Sequence, residues 1–530
     1  MKGDAMKRIV LLLLALLLLG ASGCTKKAPV VDPIADNNRV FYQIFVGSFS
    51  DSDGDGTGDL GGVLKRMDYL NDGDIASGES LGVQGIWLSP IFKSPSYHKY
   101  DVTDYYAIDS AFGSEQDLVD LLTLCHARNV KVILDLPLNH TSNSNLWFLK
   151  FCNAHKSGDA TDPYYDWYTH VSADERLGGH TYHLIDGCTD DYYECNFSTD
   201  MPELNFDNDA VRQAAVEVAR YYLALGVDGF RFDAVKYIYY ADTPRSTAFW
   251  SWYMAELRAI SPEIYCVGEC WSADTETLQY VESVNCFDFQ MAQAEGYVAN
   301  AVKGTNMGVF TKYVESYSAA VQDANADGMM ISFVSNHDMD RASGYLLMAN
   351  KWPHMAANLY LLCCGSSFLY YGEEIGMKGS RGGSGTDANR RLAMLWGDGD
   401  TVKDPVGTTY DRSKQTNGTV TEQQKDEDSL LRYYGKVIAL RNKYPAIARG
   451  SYRAVLFDET RFGGFCITYE GMTIGLFHNT STRTLTIALA DNQSGCDVPF
   501  STLQDSIGQG DASFEDGVLT IGPQTSVILG

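Results

Sequence analysis

Short apolar runs alternate with longer segments of helical apolar spacing between residues 40 and 371, and this alternation limits the possible folds more than any other feature. Strands that alternate with helices pair in parallel through right-handed crossovers, and eight of them can close into a barrel. The sequence therefore predicts an α/β fold, a (β/α)8 TIM barrel. The predicted strands are Phe41–Phe45, Gly85–Leu88, Val130–Leu134, Val227–Phe232, Ile264–Val267, Cys286–Phe289, Ile331–Val334 and Phe368–Tyr371.

The spacing of the predicted strands is interrupted once, between the third and the fourth. The segment from about residue 139 to 206 lies in this gap and is rich in Tyr, Asp, His and Gly. Unstructured loops of that length are uncommon in compact domains, so we expect an inserted subdomain. Beyond residue 446 the apolar residues alternate at period two. This pattern predicts a barrel unit over residues 39–446, followed by an all-β sandwich domain over residues 447–530.

The N-terminus has the pattern of an export signal. Two basic residues precede the apolar run Ile9–Leu19, which is shorter than the roughly 20 residues needed to cross a bilayer. The small residues before Cys24 resemble a lipobox. We expect a signal peptide over residues 1–24, a lipidated Cys24, and a polar tether over residues 25–38. These features predict an extracytoplasmic bacterial lipoprotein, at the cell surface or in the periplasm, that reaches the membrane through its lipid only. Ordinary secretion after cleavage nearby is the alternative.

The charge balance argues against one class of partner. The chain has 68 acidic and 41 basic residues, and its formal net charge is −27. Nucleic-acid binding depends on clustered Lys and Arg that replace counterions, so we expect no nucleic-acid partner. A neutral substrate or a cationic partner fits this surface better. The charge leaves the oligomeric state undetermined.

The 12 cysteines show no CxxC pair, and the 11 that remain beside Cys24 are an odd number. At least one thiol must therefore be free. Cys188 and Cys195 could close a small loop, but the sequence does not establish that geometry. We expect most cysteines to be buried and unpaired.

Ionisable residues follow four of the predicted strands. In such a barrel, the C-terminal ends of the strands form the catalytic face. Asp and Asn at one strand end could simply cap the next helix. Four carboxylate-bearing ends, with an Arg and two His among them, favour a shared catalytic mouth instead. The segments are VILDLPLNH (132–140), GFRFDAVK (229–236), VGE (267–269) and FVSNHD (333–338).

These four segments resemble the signature regions of glycoside hydrolase family 13, the alpha-amylase family. The N-terminus is similar to those of bacterial lipoprotein alpha-amylases. The resemblance extends over nearly all of the chain between Val40 and the C-terminal domain. It includes Tyr42–Leu60, Gly85–Phe92, Tyr97–Tyr106, Met201–Asn205 and Leu430–Ile447.

The resemblance implies three catalytic carboxylates. Asp233 is similar to the family's nucleophile, Glu269 to its acid/base, and Asp338 to the residue that holds sugar hydroxyls in the transition state. These residue types suit the chemistry, because a retaining glycosidase needs one ionised carboxylate to attack and one protonated acid to release the leaving group. We expect the acidic neighbours to keep Glu269 protonated.

The resemblance also implies a set of substrate-binding residues. Tyr100 is similar to the family's stacking platform, His140 and His337 to its hydroxyl-binding histidines, and Lys236 to the residue that holds the sugar beyond the scissile bond. A metal cluster of His98, His140 and His337 is an alternative, but no HExxH or comparable pair supports it.

Arg231 stands two residues before Asp233, so both side chains face the same side of a strand. We therefore expect Arg231 to keep Asp233 ionised, and we count it among the substrate-binding residues. Asp135 is interpreted as structural. Glu373 and Glu374, after the last strand, could also be catalytic, but they lie in the segment YYGEEIG, which the resembling family uses structurally, so we do not include them in the site.

The segment DSDGDGTGD, which starts at Asp51, predicts a second site. Oxygen ligands at alternate positions with Gly at the sixth match the start of a calcium loop, although Gly62 replaces the final Glu of an EF-hand. In the resembling family this loop follows the first barrel strand and holds structural Ca²⁺. A solvated acidic turn is the alternative. The implied ligands are the side chains of Asp51, Asp53, Asp55 and Asp59 and the carbonyl of Thr57.

Specificity is less constrained than chemistry, because one scaffold supports cutting, transfer and branching. Ala234 and Lys236 resemble alpha-1,4-acting members, whereas Tyr237 replaces a His that is frequent in amylases. We predict a retaining alpha-amylase that cleaves internal alpha-1,4 bonds of an alpha-glucan, starch or maltodextrin. The alternatives are an exo-acting alpha-glucosidase, an oligo-1,6-glucosidase, a neopullulanase-like enzyme and a transglycosylase. A non-catalytic glycan-binding lipoprotein is the alternative from another class.

Overall fold

The structure is a computed structural model that describes residues 31–494 and 500–530. The predicted signal peptide, Cys24 and residues 25–30 of the predicted tether lie outside the described residues. In chain order the strands are β1 (Val40–Ile44), β2 (Gly85–Leu88), β3 (Phe92–Lys93), β4 (Asp104–Ile108), β5 (Lys131–Leu136), β6 (His170–Val171), β7 (Tyr182–Leu184), β8 (Tyr192–Glu194), β9 (Gly229–Phe232), β10 (Tyr265–Gly268), β11 (Asn285–Cys286), β12 (Ile331–Ser332), β13 (Ser366–Tyr370), β14 (Ser451–Val455), β15 (Phe462–Tyr469), β16 (Met472–Asn479), β17 (Leu485–Ala488), β18 (Leu503–Gly508), β19 (Ala512–Glu515), β20 (Val518–Ile521) and β21 (Thr525–Leu529).

The helices lie between these strands as the alternating pattern predicts. Most of them separate consecutive strands of the barrel or follow its last strand. In chain order they are α1 (Leu60–Lys65), α2 (Met67–Leu70), α3 (Glu115–Ala127), α4 (Leu146–Ser157), α5 (Asp209–Leu225), α6 (Thr243–Ile260), α7 (Asp274–Val281), α8 (Tyr297–Lys303), α9 (Met307–Ala324), α10 (Trp352–Leu361), α11 (Val420–Gln423), α12 (Leu430–Lys443) and α13 (Pro445–Arg449).

Eight parallel strands form the barrel, in the order β11-β10-β9-β5-β2-β1-β13-β12. A parallel bridge between Phe287 and Ile331 joins the two ends of this sheet and closes it. The predicted TIM barrel is therefore confirmed. The sixth and seventh strands are shorter than predicted, because only two residues of each keep strand geometry.

The barrel interior is packed with side chains rather than open, as expected for eight strands. Phe41 stacks between Tyr265 and Phe368, with ring centroids 4.8 and 4.9 Å away. Gly85 on the neighbouring strand makes room for this ring, since a Cβ there would lie 2.2 Å from the Cδ1 atom of Phe41. A larger apolar cluster fills the space between the strands and the outer helices.

The segment inserted after the third barrel strand has its own secondary structure. Strands β6, β8 and β7 form an antiparallel sheet, and α4 precedes them in the chain. Asn145 caps the start of α4 by accepting a hydrogen bond from the backbone N–H of Trp147, and Gly158 ends the helix in the left-handed conformation. The insertion is thus a folded subdomain.

The C-terminal region consists of a five-stranded antiparallel sheet, β14-β15-β16-β21-β18, and a three-stranded sheet, β17-β20-β19. Apolar residues from both sheets, among them Phe462, Phe477 and Leu519, form a shared core. The predicted all-β sandwich is therefore confirmed. Asn358 of α10 connects it to the barrel by donating a hydrogen bond of 2.8 Å to the Ser526 hydroxyl.

Residues 32–38, which the sequence assigned to the tether, are held against the barrel. The Arg39 guanidinium donates hydrogen bonds to the carbonyls of Ile34 and Asn129, both at 2.7 Å. Asp36 forms an ion pair with Arg449 at 2.6 Å. Residues 32–38 therefore belong to the folded unit.

Nine of the described cysteines are free, including Cys188 and Cys195, so the small loop between these two is not closed by a disulfide. Cys466 is disulfide-bonded. Most described thiols are thus unpaired, as expected. Among the described residues, the helices lack the length and apolar content that crossing a membrane requires.

Candidate active site

The predicted site begins with the side-chain alternation of β9. Phe230 and Phe232 point outward into the apolar layer between strands and helices, where Phe232 packs on Trp250. Successive side chains of a strand alternate between its two faces, so Arg231 must point into the barrel. The strand ends one residue later, and Asp233 lies at its C-terminal end.

Arg231 joins carboxylates from three strand ends. Its Nη1 atom lies 2.6 Å from Asp233 Oδ1 and 2.8 Å from Asp135 Oδ1, and its Nη2 atom lies 2.7 Å from Glu269 Oε2. Arg231 and Asp135 are completely buried. A planar guanidinium with several fixed donors suits such a fork. It fixes Asp233 and Glu269 relative to each other.

The backbone turns sharply directly after Asp233. Ala234 has φ +47° and ψ +48°, a left-handed conformation that costs a residue with a Cβ about 1 kcal/mol. This turn directs the backbone N–H of Ala234 to Glu269 Oε2, 3.3 Å away. The strained residue thus helps to place the two carboxylates side by side.

The environment separates the protonation behaviour of the carboxylates. Burial raises the pKa of Glu269 to about 8, against the opposing effect of Arg231, while Asp233 and Asp338 raise it further. Burial also raises the pKa of Asp233, and Arg231 opposes that rise. The ion pair expected between Arg231 and Asp233 is present, but it does not bring the pKa of Asp233 below its usual value. Glu269 is suited to remain protonated at neutral pH.

Asp338 has the opposite character. Burial alone would raise its pKa, but His337, Arg391 and Arg231 together hold the pKa well below the usual range. Arg391 Nη2 lies 2.7 Å from Asp338 Oδ1, and His337 Nε2 lies 3.0 Å from Oδ2. Asp338 is therefore a fixed negative charge beside the other two carboxylates.

Arg391 is a site residue that the sequence reasoning missed. Besides Asp338, it donates hydrogen bonds to the His337 carbonyl and the Tyr97 hydroxyl, both at 3.1 Å. Its one signal in the sequence is the Arg390–Arg391 pair in a chain rich in acid. That signal does not tell which Arg binds the Asp338 carboxylate. The structure pairs the Arg390 side chain with Asp340 and lets it donate only to the backbone carbonyl of Asp338, at 2.7 Å.

Tyr100 and His337 form one hydrogen-bonded unit. The Tyr100 hydroxyl donates to Asp135 at 2.8 Å and lies 2.6 Å from His337 Nε2. The Gln43 amide donates to His337 Nδ1 at 2.8 Å. Burial lowers the pKa of His337 to about 3, so the ring is neutral and its proton is on Nε2. That proton points to Tyr100 and Asp338.

His140 is buried, and burial lowers its pKa to about 4. Its Nε2 atom has no hydrogen-bond partner among the described residues. A buried polar atom without a partner is costly, so this nitrogen is suited to a ligand hydroxyl. The structure thus gives His140 a free polar atom, whereas His337 uses both ring nitrogens.

Lys236 and Tyr237 each contact a residue with an exposed aromatic side chain. Lys236 donates a hydrogen bond of 3.0 Å to the Trp271 carbonyl. Trp271 as a whole residue is 45% exposed, although its ring stacks on Phe289. Phe197, 44% exposed, lies with its ring 4.5 Å from that of Tyr237. Exposed rings beside a cleft can stack on the apolar faces of sugars. Trp271 and Phe197 were absent from the sequence prediction.

A cleft of about 680 Å³ opens beside Asp338 and Trp271. Tyr345, Lys378 and Arg390 also line it. A cavity of this size suits a ligand of several rings. Of the three carboxylates, Asp338 thus borders a space that can take part of a chain-like substrate.

Other acidic residues near the last strand serve the interior. Glu374 accepts a hydrogen bond from the Tyr42 hydroxyl at 2.7 Å, and Glu373 accepts one from Tyr360 at 2.8 Å. Both side chains are buried among these phenols, in agreement with the structural interpretation made from the sequence.

The calcium-type loop gathers three carboxylates. Asp51, Asp53 and Asp59 each offer one oxygen, and these atoms lie within 4.8 Å of one another. Carboxylate oxygens are ligands that Ca²⁺ prefers, so the donor set fits this ion. Asp55 was predicted as a ligand but is not in this group; its Oδ1 atom accepts the backbone N–H of Thr57 at 2.6 Å. The structure does not gather His98, His140 and His337 into a comparable group within its described residues.

Comparison with known proteins gives a consistent picture. The family model described as "Alpha amylase, catalytic domain" matches residues 43–450. Alpha-amylase 3 of Dictyoglomus thermophilum is 30% identical over 93% of both chains. The 4-alpha-glucanotransferase of Thermotoga maritima is 30% identical over 83% of this chain and 95% of its own. The solved structure of Eubacterium rectale Amy13B is 32% identical in sequence and superposes with a TM-score of 0.85. The match covers 95% of this chain and 97% of that one.

Proposed function

The chain belongs to the alpha-amylase family, and from that premise we propose that this glycosidase retains anomeric configuration and cleaves internal alpha-1,4 bonds of starch or maltodextrin. One observation carries the proposal. Arg231 fixes Asp233 beside Glu269, while burial raises the pKa of Glu269 to about 8. Retaining hydrolysis requires an ionised nucleophile and a protonated acid that flank the same glycosidic bond.

In the proposed first step, Asp233 attacks the anomeric carbon as the glycosidic bond breaks. Glu269 gives its proton to the leaving oxygen, and a covalent glycosyl-enzyme forms. In the second step, Glu269 takes a proton from water, whose oxygen displaces Asp233. Glu269 regains its proton, and the sugar keeps its original configuration.

Asp338 supports both steps without forming a bond. Its fixed negative charge, held by Arg391 and His337, opposes the positive charge that develops on the sugar. Its oxygens can also accept sugar hydroxyls. His140 Nε2 is the best-placed neutral group for another hydroxyl, because it is buried without a partner among the described residues.

Internal cleavage is supported by the open rim. A long chain needs space on both sides of the scissile bond, and the cleft beside Asp338 is continuous with the exposed Trp271 ring. A transferase is the second candidate, because a relative with that name is as similar in sequence as Alpha-amylase 3. The two functions differ in whether water or sugar intercepts the glycosyl-enzyme.

Product analysis tests the proposal. Purified protein would be incubated with amylose, pullulan and isomaltose, and the products followed over time. Maltose and longer fragments that appear early from amylose support internal cleavage. Glucose alone, or panose from pullulan, would replace it with one of the exo-acting or neopullulanase-like alternatives. Products longer than an added maltotriose would indicate transfer.

We also propose that Ca²⁺ binds the loop between Asp51 and Asp59 as a structural ion. The support is the convergence of three carboxylates in a loop that follows β1. Asp59 also caps α1, since its side chain accepts the backbone N–H of Gly62. Bound Ca²⁺ would hold this helix start in place; the reaction steps above use only side chains of the barrel mouth.

For the location, we propose a lipoprotein outside the cytoplasm that is anchored through Cys24. The support is the sequence pattern of a short apolar run and a lipobox-like segment. Membrane fractionation of cells that make the wild type and Cys24→Ala tests it. Release of the variant alone is the expected result, and a wild type that is already free in the medium would contradict the anchor.

A further inference from the structure

The inserted subdomain contains a second group of metal-ligand side chains. His155 lies in the last turn of α4, His170 begins β6, and Asp191 directly precedes β8. Each offers one ring nitrogen or carboxylate oxygen, and these three atoms lie within 4.8 Å of one another. The group therefore joins the helix of the subdomain to two strands of its sheet.

His155 is the most informative member. Its side chain is completely buried, and its Nε2 atom lies 3.0 Å from the carbonyl oxygen of Tyr165. Because a carbonyl can only accept a hydrogen bond, Nε2 carries the proton and Nδ1 of the neutral ring presents a lone pair. Nδ1 has no hydrogen-bond partner within the described part of the chain.

The atom facing this lone pair is also an acceptor. Asp191 Oδ2 lies 3.5 Å from His155 Nδ1, beyond a good hydrogen bond. Two acceptors that face each other repel unless a cation lies between them; here the His155 side chain is completely buried and that of Asp191 is 38% exposed. A single proton would satisfy this pair, but it would not explain why a nitrogen of His170 converges on the same point.

The spacing fits a small tetrahedral ion. Metal–nitrogen and metal–oxygen bonds of about 2.0–2.2 Å place two tetrahedral ligand atoms about 3.4 Å apart. The separation of 3.5 Å between His155 and Asp191 agrees with this value. His170 has a further carboxylate at hand, since Asp166 Oδ1 lies 3.3 Å from its Nε2.

We propose that His155, His170 and Asp191 bind a divalent transition-metal ion of the Zn²⁺ class, with solvent as the remaining ligand. Imidazole nitrogens favour such ions over Ca²⁺, which prefers oxygen. The Tyr165 carbonyl holds the His155 ring in the required tautomer, as outer partners of metal-bound histidines do. The ion clips α4 to the sheet and takes no part in cleavage.

The test uses the full chain without a histidine tag, freed of metal by a chelator and kept in calcium-containing buffer. Zn²⁺ is titrated in competition with a chromophoric chelator. We expect one tight equivalent in the wild type. His170→Gln should weaken binding about 100-fold and Asp191→Asn about tenfold, since each removes one ligand from a small ligand set.

Two control variants separate this site from other zinc ligands of the subdomain. His183→Gln removes an exposed histidine of β7, and Cys188→Ser removes a free thiol. Both should bind Zn²⁺ like the wild type. Circular dichroism without metal checks that each variant folds. Equal binding by the wild type, His170→Gln and Asp191→Asn would overturn the proposal. So would a loss confined to Cys188→Ser.

Discussion

The barrel mouth and the loop from Asp51 to Asp59 both gather acidic side chains, but they hold them differently. In the mouth, each carboxylate faces a fixed guanidinium, Arg231 or Arg391. In the loop, backbone N–H groups hold the carboxylates: Asp51 accepts those of Gly54 and Gly56 at 2.7 and 2.8 Å. Burial raises the pKa of Glu269 against Arg231, whereas Arg391 and His337 hold that of Asp338 low, and this division into a protonated and an ionised carboxylate serves chemistry. Backbone donors only position them, which suits a bound ion.

This contrast predicts that substitutions in the mouth lower the reaction rate. The largest effect is expected for Asp233→Asn. Without an ionised nucleophile the glycosyl-enzyme cannot form, so kcat/KM on maltooligosaccharides should fall about 10⁴-fold. Asp120→Asn, an exposed change on α3, is the matched control and should leave the rate unchanged. If Asp233→Asn kept a tenth of the activity, Asp233 would not be the nucleophile. Full substrate binding with no wild-type activity would favour the glycan-binding alternative.

Arg391→Met should have the next largest effect. Loss of the guanidinium removes one cause of the low pKa of Asp338. We therefore expect kcat/KM to fall about 100-fold. The acidic limb of the pH profile of kcat/KM should also move to higher pH. Arg390→Met at the neighbouring position should cost less, because that side chain pairs with Asp340 and reaches only the backbone carbonyl of Asp338, not its carboxylate. Equal losses in the two variants would show that Arg391 has no special relation to Asp338.

The pH dependence tests the division of the carboxylates directly. Glu269 must be protonated to act as the acid, so kcat/KM should fall about tenfold per pH unit above the Glu269 pKa of about 8. The same pKa affects stability. Because folding raises it from 4.5, this stabilisation is complete below about pH 4.5 and is lost as the pH rises through 8. Glu269→Gln should therefore show a smaller loss of unfolding free energy over that range. A basic limb near pH 6 would contradict the assignment.

Changes in the loop should act on stability instead, with the smallest effect on rate. Removal of Ca²⁺ by a chelator should lower the melting temperature by about 2–5 °C. Asp53→Asn should abolish that shift. Asp55→Asn distinguishes the ligand set predicted from the sequence from the one that the structure shows. Because the Asp55 carboxylate lies outside the converging group, the chelator should still lower the melting temperature of this variant. An unchanged melting temperature after verified chelation would remove Ca²⁺ from the loop.

Local periodicity in the sequence was enough to predict the barrel and part of its mouth. The order of the eight strands came from the alternation of apolar runs, and the strand ends identified Asp233, Glu269 and Asp338 as candidates through the family resemblance. The direction of Arg231 came from the period of two along β9. These features depend on residues within one element.

Features that depend on distant loops were not predicted. Arg391 reaches Asp338 from a loop that is 53 positions further along the chain, and no short motif connects them. His155, His170 and Asp191 belong to three elements of the inserted subdomain, so their convergence appears only when helix and sheet pack. Asp55 shows the reverse case, because its position in the motif fits a ligand but its carboxylate lies outside the group that converges in the folded loop.

The attachment of residues 32–38 to the barrel has a consequence for access to polymers. These residues lead into β1, so they lie at the end of the barrel opposite to the C-terminal strand ends that carry Asp233 and Glu269. If Cys24 carries a lipid as proposed, the remaining seven residues span at most about 25 Å. The membrane would then lie beneath the closed end of the barrel, and the cleft would face the medium. A starch granule or a long chain would meet the enzyme from outside without having to enter the gap between protein and bilayer.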